Sequence, residues 1–289
     1  MKIKKNVLIF ISVIAAISIS AYLAPIIYSI FPQFKFERIL NRLLIISTFI
    51  LCFSFVRIDS SFFKACGFNQ KQNIAFNRWA QGFFVSFFVL LLLIFTEYKL
   101  GVLLFSETFS FSVSLFALSA LTGILVGAVE EFFFRGLLYL NLSRRWDVWP
   151  SVILTSLVYS AVHFLKSGRP LIDAPPTMWD SFRVLGASFQ AFWVWQETWP
   201  AFIGLFLFGI VLNFAFLRTR SLFMSMGLHA GAVFLLKLFS RWYIVNPDYS
   251  SLVFGGRGFY SGVLGWTFIA FIGFLVYYLS ASTFSPKRR

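Results

Sequence analysis

Charge is what this chain has least of. Only 12% of its 289 residues are Asp, Glu, Lys or Arg, whereas 59% are hydrophobic, and the mean hydropathy is +0.81. A soluble domain typically carries about twice that charged fraction, so the composition excludes the soluble class. It is typical of a polytopic helical membrane protein, because hydrocarbon requires every backbone polar group to be satisfied within its own segment.

Acidic residues are the scarcer of the two signs, which leaves a formal net charge of +14. In a soluble protein such an excess would point to nucleic acid. Here the basic residues cluster at the ends of apolar segments and form no contiguous face. This placement follows the positive-inside rule and the attraction of anionic headgroups. We therefore expect membrane lipids as partners, and no nucleic acid.

Cysteine and histidine are nearly absent, with two residues of each. Cys52 lies in an apolar segment and Cys66 in a polar link. This pair is too small and too ill-spaced for a disulfide framework or a cysteine-based zinc site, so we expect two reduced thiols. His163 and His229 both lie within apolar segments, where a titratable side chain requires an explanation.

The apolar segments predict an all-α bundle of about eight transmembrane helices, with the active site between helices. The predicted spans are residues 7–31, 39–56, 80–96, 117–142, 149–164, 201–217, 222–238 and 260–280. An even number puts both termini on one side, and the basic links predict that this side is the cytoplasm, in a bacterial inner membrane. The Trp-rich segment 166–200 predicts an amphipathic piece at headgroup level.

Three of the few charges lie within six residues of the fourth span, at Glu130, Glu131 and Arg135. A charge at mid-bilayer depth costs roughly 2.5–3.5 kcal/mol on insertion scales, so such residues are usually paired and functional. Glu131 and Arg135 are four residues apart and share one helix face, which predicts an ion pair. Glu130 is turned toward Phe134 and is a candidate general base beside an aromatic wall. The structural alternative is an acid–base network that only locks two helices together.

Each histidine has polar or small neighbours one helical turn away. Tyr159 and Ser160 share the face of His163, and Ser225 lies one turn before His229. Small residues around His229 let helices approach closely, as a site between helices requires. One glutamate and two histidines could be ligands of a catalytic metal with one open position. They could equally be a base that deprotonates water and two histidines that orient it.

The sequence Glu130-Glu131-x-x-x-Arg135-Gly136, followed by one helix with His163 and another with His229, resembles the CPBP intramembrane proteases. This family includes CAAX prenyl endopeptidases of the Rce1 type and bacterial Abi-type proteins. The resemblance implies a protease core in residues 111–240. N-terminal transmembrane helices would occupy residues 1–110, and a C-terminal transmembrane helix with a basic tail would occupy residues 241–289.

The resemblance implies an intramembrane endopeptidase that cuts a membrane-delivered protein or peptide. Glu130 would activate the water, Glu131 and Arg135 would support it, and His163 and His229 would complete the site. We expect no metal cofactor, with zinc or another divalent ion on Glu130, His163 and His229 as the alternative. The rival function is a non-catalytic scaffold or bacteriocin-immunity-type protein of the same fold. A transporter is disfavoured because the chain shows no internal repeat.

Two positions depart from the family pattern. Tyr159 stands where the family usually has Phe. Val233, four residues after His229, stands where many members carry an Asn that assists the oxyanion. Asn213, a polar residue in the middle of the sixth span, is the candidate replacement, and Tyr159 is a further candidate contact to substrate or oxyanion. Loss of one donor costs a factor of about 10² to 10³ in rate, so we expect slow turnover.

Overall fold

The structure is a computed structural model that describes residues 2–55, 58–106, 112–165, 172, 175–240, 242–256, 258 and 260–280. Contacts divide the chain into two units. The first contains Met1–Ile58 and Val162–Thr198, and the second contains Asp59–Ala161 and Trp199–Arg289. Every site residue predicted from the sequence lies in the second unit except His163. The division into residues 1–110, 111–240 and 241–289 stays a prediction.

Helices dominate the described part of the chain. In chain order they are α1 (Lys2–Ile30), α2 (Phe36–Phe55), α3 (Ser60–Ala65), α4 (Gln72–Lys99), α5 (Val113–Glu131), α6 (Leu140–Ser143), α7 (Val148–Phe164), α8 (Met178–Ser188), α9 (Gln190–Trp193), α10 (Trp195–Thr219), α11 (Leu222–Phe239), α12 (Ser251–Phe254) and α13 (Val263–Leu279). A π-helical segment, Phe132–Tyr139, joins α5 to α6 without a break. Two three-residue strands are present, β1 (Leu103–Phe105) and β2 (Tyr243–Val245).

Among the described residues, five helical stretches are long and apolar enough to cross a membrane. They are Ser12–Ile30, Gln72–Lys99, Val113–Ser143, Trp195–Thr219 and Leu222–Phe239. Helices α7 and α13 are shorter and also apolar. With α2, these helices match the eight segments expected from the sequence. The class of all-α polytopic membrane protein is confirmed.

Several helix boundaries differ from those expected, and the largest difference is the start of α4, at Gln72 rather than at residue 80. Helix α10 begins at Trp195 rather than at residue 201, although Glu197 and Pro200 look like loop residues in the sequence. Pro200 lies near the start of the helix, where its missing N–H removes only one intrahelical hydrogen bond. The fourth long helix begins at Val113 rather than at residue 117, and its second half contains the π-helical turns.

In the first unit, α8 packs against α1 and α2. The hydroxyl of Ser181 is buried and donates a hydrogen bond of 2.8 Å to the carbonyl of Ala21. Trp179 and Trp193 point outward with exposed fractions of 77% and 84%. This is the amphipathic character that the Trp-rich segment predicts. The apolar core of this unit consists of Ala24, Phe36, Ile39, Leu40 and Val184.

In the second unit, α11 is the most buried of the candidate spans and lies against α4 and α5. Glycines make this close packing possible. A Cβ on Gly227 would lie 2.0 Å from the carbonyl oxygen of Trp79 on α4, and a Cβ on Gly127 of α5 would lie 2.8 Å from that of Met226. Neither position has room for a side chain. The small residues around His229 therefore lie where helices meet, as expected.

Short backbone contacts tie the links between spans together. At one end, β1 pairs with β2 in antiparallel register, with Leu103 opposite Val245. At another, the backbone N–H of Leu222 donates to the carbonyl of Cys66 at 3.0 Å. The strands were not predicted, because three residues are too few to show an alternating pattern. They connect the link after α4 to the link after α11.

Candidate functional site

Four helical elements of the second unit supply the polar side chains of the candidate site. Glu130 and Glu131 are the last two residues of α5, and Arg135 lies in the π-helical segment that follows. His229 lies in the middle of α11, and α10 supplies Asn213. π-helical turns occur often at functional sites. The structure brings these five side chains close together within the second unit.

Glu131 is the centre of this neighbourhood. Its Oε1 accepts a hydrogen bond from Nη1 of Arg135 at 2.9 Å, and both side chains are fully buried. The ion pair expected from the four-residue spacing is present. Arg135 also donates from Nη2 to the carbonyl oxygen of Gly209 on α10 at 3.0 Å. This hydrogen bond satisfies part of the buried pair, whereas Oε2 of Glu131 and Nε of Arg135 have no hydrogen-bond partner among the described residues.

The same oxygen of Glu131 contacts Nδ1 of His229 at 2.9 Å. A carboxylate paired with a guanidinium only accepts hydrogen bonds, so Nδ1 of His229 carries the proton. The other ring nitrogen, Nε2, then points to Oε2 of Glu130 at 3.8 Å. This distance is longer than a direct hydrogen bond. The side chain of His229 is 3% exposed and that of Glu130 is 31% exposed, although the Oε2 atom of Glu130 that faces the imidazole is itself buried.

Aromatic rings surround the buried charges. The ring of Tyr159 on α7 lies 4.8 Å from the guanidinium carbon of Arg135, which is a cation–π contact. The edge of Tyr159 meets Phe134 at a centroid distance of 5.1 Å and His229 at 5.9 Å. Phe208 of α10 contacts His229 from another direction at 6.0 Å. These rings therefore enclose Arg135 and His229, and the aromatic wall expected beside Glu130 stays a prediction.

Asn213 is fully buried, and its Nδ2 group is committed to protein partners, whereas its Oδ1 has no hydrogen-bond partner among the described residues. Its Nδ2 donates to the carbonyl oxygen of Gly209 at 3.0 Å and to the hydroxyl of Ser156 at 3.1 Å. The carbonyl of Gly209 thus accepts from both Asn213 and Arg135. An amide nitrogen has two hydrogens, and both are used in these contacts. The oxyanion role of Asn213 stays a prediction, as does the consequence of Val233, which is half-buried in α11.

His163 lies in the last turn of α7 and is half-buried. It belongs to the first unit, so its participation in the site stays a prediction. In the described part of the chain, no three His, Cys, Asp or Glu side chains gather as ligands for a metal ion. The zinc alternative on Glu130, His163 and His229 likewise stays a prediction, and no step of the chemistry below depends on a metal.

Sequence reasoning missed the residues behind the charged cluster. Gly209, Ser156 and Phe208 hold or flank Arg135, Asn213 and His229 without carrying charge themselves. One signal was available for the first of them. Gly209 and Asn213 are four residues apart and share a face of α10, so a hydrogen bond between them could have been expected.

Long apolar helices around a buried Glu–Arg–His cluster define an integral membrane protein with a polar centre among its helices. Residues 112–235 match the family model described as type II CAAX prenyl endopeptidase Rce1-like. The match confirms the resemblance based on Glu130, Glu131, Arg135 and the two histidines, and this stretch is an Rce1-like domain. The family that this model describes is one of membrane endopeptidases. No curated protein and no solved structure matches the chain.

Proposed function

We propose that this protein is an intramembrane endopeptidase in which Glu130 activates the water that hydrolyses the peptide bond. The observation that carries the proposal is the approach of Glu130 Oε2 to His229 Nε2 at 3.8 Å, beside an ion pair that fixes the histidine. A water molecule beside the line between these atoms can lie about 2.8 Å from both, within hydrogen-bonding distance. Oε2 of Glu130 is buried beside the imidazole, while 31% of the Glu130 side chain as a whole is exposed to incoming water.

The reaction then follows general base catalysis. The water oxygen attacks the carbonyl carbon of the peptide bond while Glu130 accepts a proton from the water. When the carbon–nitrogen bond breaks, Glu130 returns this proton to the leaving amine. The products are a carboxylic acid and an amine, so Glu130 ends the cycle as it began. The substrate class is a protein or peptide delivered within the membrane, because the site lies among membrane-spanning helices.

Glu131 and Arg135 are positioning residues in this proposal. The carboxylate of Glu131 holds Nδ1 of His229, so the ring presents Nε2 to the water. Arg135 holds that carboxylate in turn and anchors it to the backbone of α10 through Gly209. His163 is retained as a third member of the site on the sequence resemblance alone. Its predicted task is to orient the substrate carbonyl or stabilise the oxyanion.

The test uses purified full-length protein in nanodiscs and three probes. One is a quenched fluorescent peptide with a farnesylated cysteine in a C-terminal CAAX motif. The second is the same peptide without the farnesyl group, and the third is fluorescently labelled casein. The variants are Glu130→Gln and, as a matched acid-to-amide control, Glu197→Gln, whose side chain is exposed near the start of α10.

Loss of a general base typically lowers the rate by about 10² to 10⁴. We expect that loss in Glu130→Gln, wild-type turnover in Glu197→Gln, and unchanged thermal stability in both. Equal turnover by Glu130→Gln and the wild-type protein contradicts the proposal, as does a wild-type protein that cleaves none of the three probes. Comparison of the two peptides decides whether a prenyl group matters.

Metal dependence has its own measurement. We propose a metal-free glutamate mechanism, so turnover should survive dialysis against a chelator, and metal analysis should find less than one zinc per chain. Stoichiometric zinc that is lost together with activity, and restored with it, would replace this mechanism with the metal alternative. Substitution of His163 by Ala then tests whether this residue is required in either case.

The second candidate function is a non-catalytic scaffold or immunity-type protein of the same fold. The observation that favours it is Val233, which cannot donate a hydrogen bond where the family often has Asn. A cellular phenotype that survives both Glu130→Gln and His229→Ala would establish the scaffold. Loss of the phenotype in both variants, at unchanged protein level, supports the peptidase.

A further inference from the structure

The turn between α6 and α7 forms a cavity outside the candidate active site. The backbone N–H groups of Arg145 and Trp146 both donate to the carbonyl of Leu142 at 2.9 Å, which closes the preceding helix. Beyond it the chain reverses direction and enters α7. The cavity between the two helix ends measures about 520 Å³. Its lining residues are Ser143, Arg144, Arg145, Trp146, Asp147 and Pro150.

The lining of this cavity is cationic and open to a ligand. Arg144 and Arg145 are both exposed. Among the residues that the structure describes, neither guanidinium has an ion-pair or hydrogen-bond partner. Asp147 is the one carboxylate in the lining, so the cavity keeps a net positive charge. Both arginines line the same cavity, and a guanidinium group is suited to a phosphate, which it binds through parallel N–H···O hydrogen bonds.

An apolar stripe begins next to the cavity and follows α7. Trp149, Ile153 and Leu157 are spaced four residues apart and lie on one face of the helix, with exposed fractions of 67%, 46% and 38%. Their Cα atoms span about 12 Å along the helix axis. Trp146, beside the arginines, is 52% exposed, and Trp prefers the headgroup level of a bilayer. Cationic cavity and apolar stripe thus follow one another in the order of a phospholipid's headgroup and acyl chain.

We propose that residues 143–150 form a binding site for an anionic phospholipid such as phosphatidylglycerol. Arg144 and Arg145 bind the phosphate, and one acyl chain lies along Trp149, Ile153 and Leu157. The apolar stripe is continuous with the cavity, which favours a lipid over free phosphate. Free phosphate has no apolar group that could contact the stripe. Basic residues beside a membrane-spanning helix attract anionic lipids by the same electrostatics.

The test is a lipid titration of the detergent-purified full-length protein, followed by native mass spectrometry. The probes are phosphatidylglycerol, phosphatidylcholine with the same acyl chains, and glycerol phosphate as the headgroup alone. The test variant is Arg144→Gln/Arg145→Gln. The control is Arg38→Gln/Arg42→Gln, which removes the same charge from two exposed positions at the start of α2.

We expect the wild-type protein to bind phosphatidylglycerol at least about tenfold more tightly than phosphatidylcholine. The Arg144/Arg145 double variant should lose this preference at unchanged thermal stability, and the control should keep it. Three results would overturn the site: the preference persists in the double variant, it falls equally in the control, or glycerol phosphate binds as tightly as the lipid. The last result would assign the cavity to free phosphate.

Discussion

Glu130 and Glu131 are neighbours in the chain, but their surroundings differ in charge and exposure. Glu131 is fully buried and accepts from Arg135 and His229 through one oxygen. Glu130 is one-third exposed and lies on the other side of the imidazole. A carboxylate held by a guanidinium and an imidazole N–H is fixed in place as an acceptor, whereas an accessible one can exchange a proton with water. This contrast supports the proposal in which Glu131 positions His229 and Glu130 activates the water.

Because the ion pair of Arg135 with Glu131 is buried, we expect its loss to lower the free energy of unfolding strongly. Arg135→Gln leaves the Glu131 carboxylate buried without a compensating charge, and removal of one partner from a buried pair costs about 3–5 kcal/mol. The control is Arg183→Gln, because Arg183 pairs with Asp180 while 56% exposed, and exposed pairs are worth at most about 1 kcal/mol. Unfolding in mixed micelles measures both. Equal losses in the two variants would contradict the buried pair.

Substitution of Asn213 distinguishes a structural role of this residue, which affects stability, from a catalytic role, which affects turnover. Its amide donates to Gly209 and Ser156, so Asn213→Ala removes two buried hydrogen bonds and should cost about 1–3 kcal/mol of unfolding free energy. Asn141→Ala is the control, because Asn141 is partly buried and donates only to the carbonyl of Leu137 in its own helix. A fall in kcat of about 10² to 10³ with unchanged stability would instead support the oxyanion role.

Predictability from the sequence stops where contacts stop being local. The pair of Glu131 and Arg135 follows from a spacing of four within one helix. The contact of Glu131 with His229 joins residues 98 positions apart, and no pattern in the sequence states which oxygen meets which ring nitrogen. The partners of Asn213 were hidden for the same reason. The sequence therefore predicted which chemical groups form the site. Which group contacts which other group is determined by the tertiary packing.

At the scale of elements, the lengths of the apolar runs predicted the long helices, because the cost of a polar backbone in hydrocarbon acts on each segment separately. The π-helical turns at Phe132–Tyr139 escaped prediction. The residues there have no distinctive pattern, and the turn is stabilised by contacts with other elements, such as Arg135 with α10. The short strands escaped because they depend on a partner 138 or more residues away in the chain, as the register of Phe105 with Tyr243 shows.

The packing of α11 against α4 predicts that Gly227 tolerates no side chain. A Cβ in Gly227→Ala would lie 2.0 Å from the Trp79 carbonyl oxygen, so α4 and α11 must separate. Overpacking typically costs about 1–3 kcal/mol, and turnover should fall because His229 lies only two residues further on. Gly186→Ala in α8 has open space around its Cβ and should stabilise by about 0.5–1 kcal/mol. Mixed-micelle unfolding and probe turnover check both. Unaltered stability of Gly227→Ala would contradict the close approach.

The hydrogen bonds at the start of α8 predict that the stability of the protein depends on pH. The backbone N–H and the hydroxyl of Thr177 donate to Asp180 at 2.8 Å, and these hydrogen bonds hold the pKa of Asp180 below its usual value. A lowered pKa gives stability that is complete above the unfolded value of about 3.9 and is lost as pH falls through the folded value.

Asp180→Asn should therefore lower stability near neutral pH by about 1 kcal/mol, the usual worth of a helix cap. The difference from the wild-type protein should shrink as the pH falls below about 4. Thermal unfolding at several pH values measures it. Asp248→Asn, at an exposed loop position, should change stability little at any pH. A deficit of Asp180→Asn that is constant with pH would exclude the cap as its cause.

At the scale of the whole molecule, contacts between links test the order of the spans. Within the second unit, the pairing of β1 with β2 requires the link after α4 and the link after α11 to lie on one side of the membrane. The hydrogen bond from Leu222 to Cys66 requires the same of the links before α4 and before α11. In the eight-span order, each of these pairs of links is separated by four spans. An even number returns the chain to the same side, so the contacts agree with the predicted order.

This order predicts which links an external reagent reaches. In a background without Cys52 and Cys66, single cysteines replace Leu104 in β1, Asp248 after β2 and Lys71 before α4, all at exposed positions. Cells that carry these variants are treated with a membrane-impermeant maleimide before and after permeabilisation. The predicted cytoplasmic termini place Leu104→Cys and Asp248→Cys outside, so intact cells should label both.

Lys71→Cys should be labelled only after permeabilisation, because the basic links before α4 are predicted to be cytoplasmic. The reverse pattern, with Lys71→Cys labelled in intact cells and the other two protected, would overturn the orientation while leaving the order of spans intact. Different labelling of Leu104→Cys and Asp248→Cys would contradict the structure itself and not only the orientation. Two positions joined by one antiparallel pair cannot lie on opposite sides of a bilayer, so that result would contradict the pairing of β1 with β2 and the packing of α11 against α4.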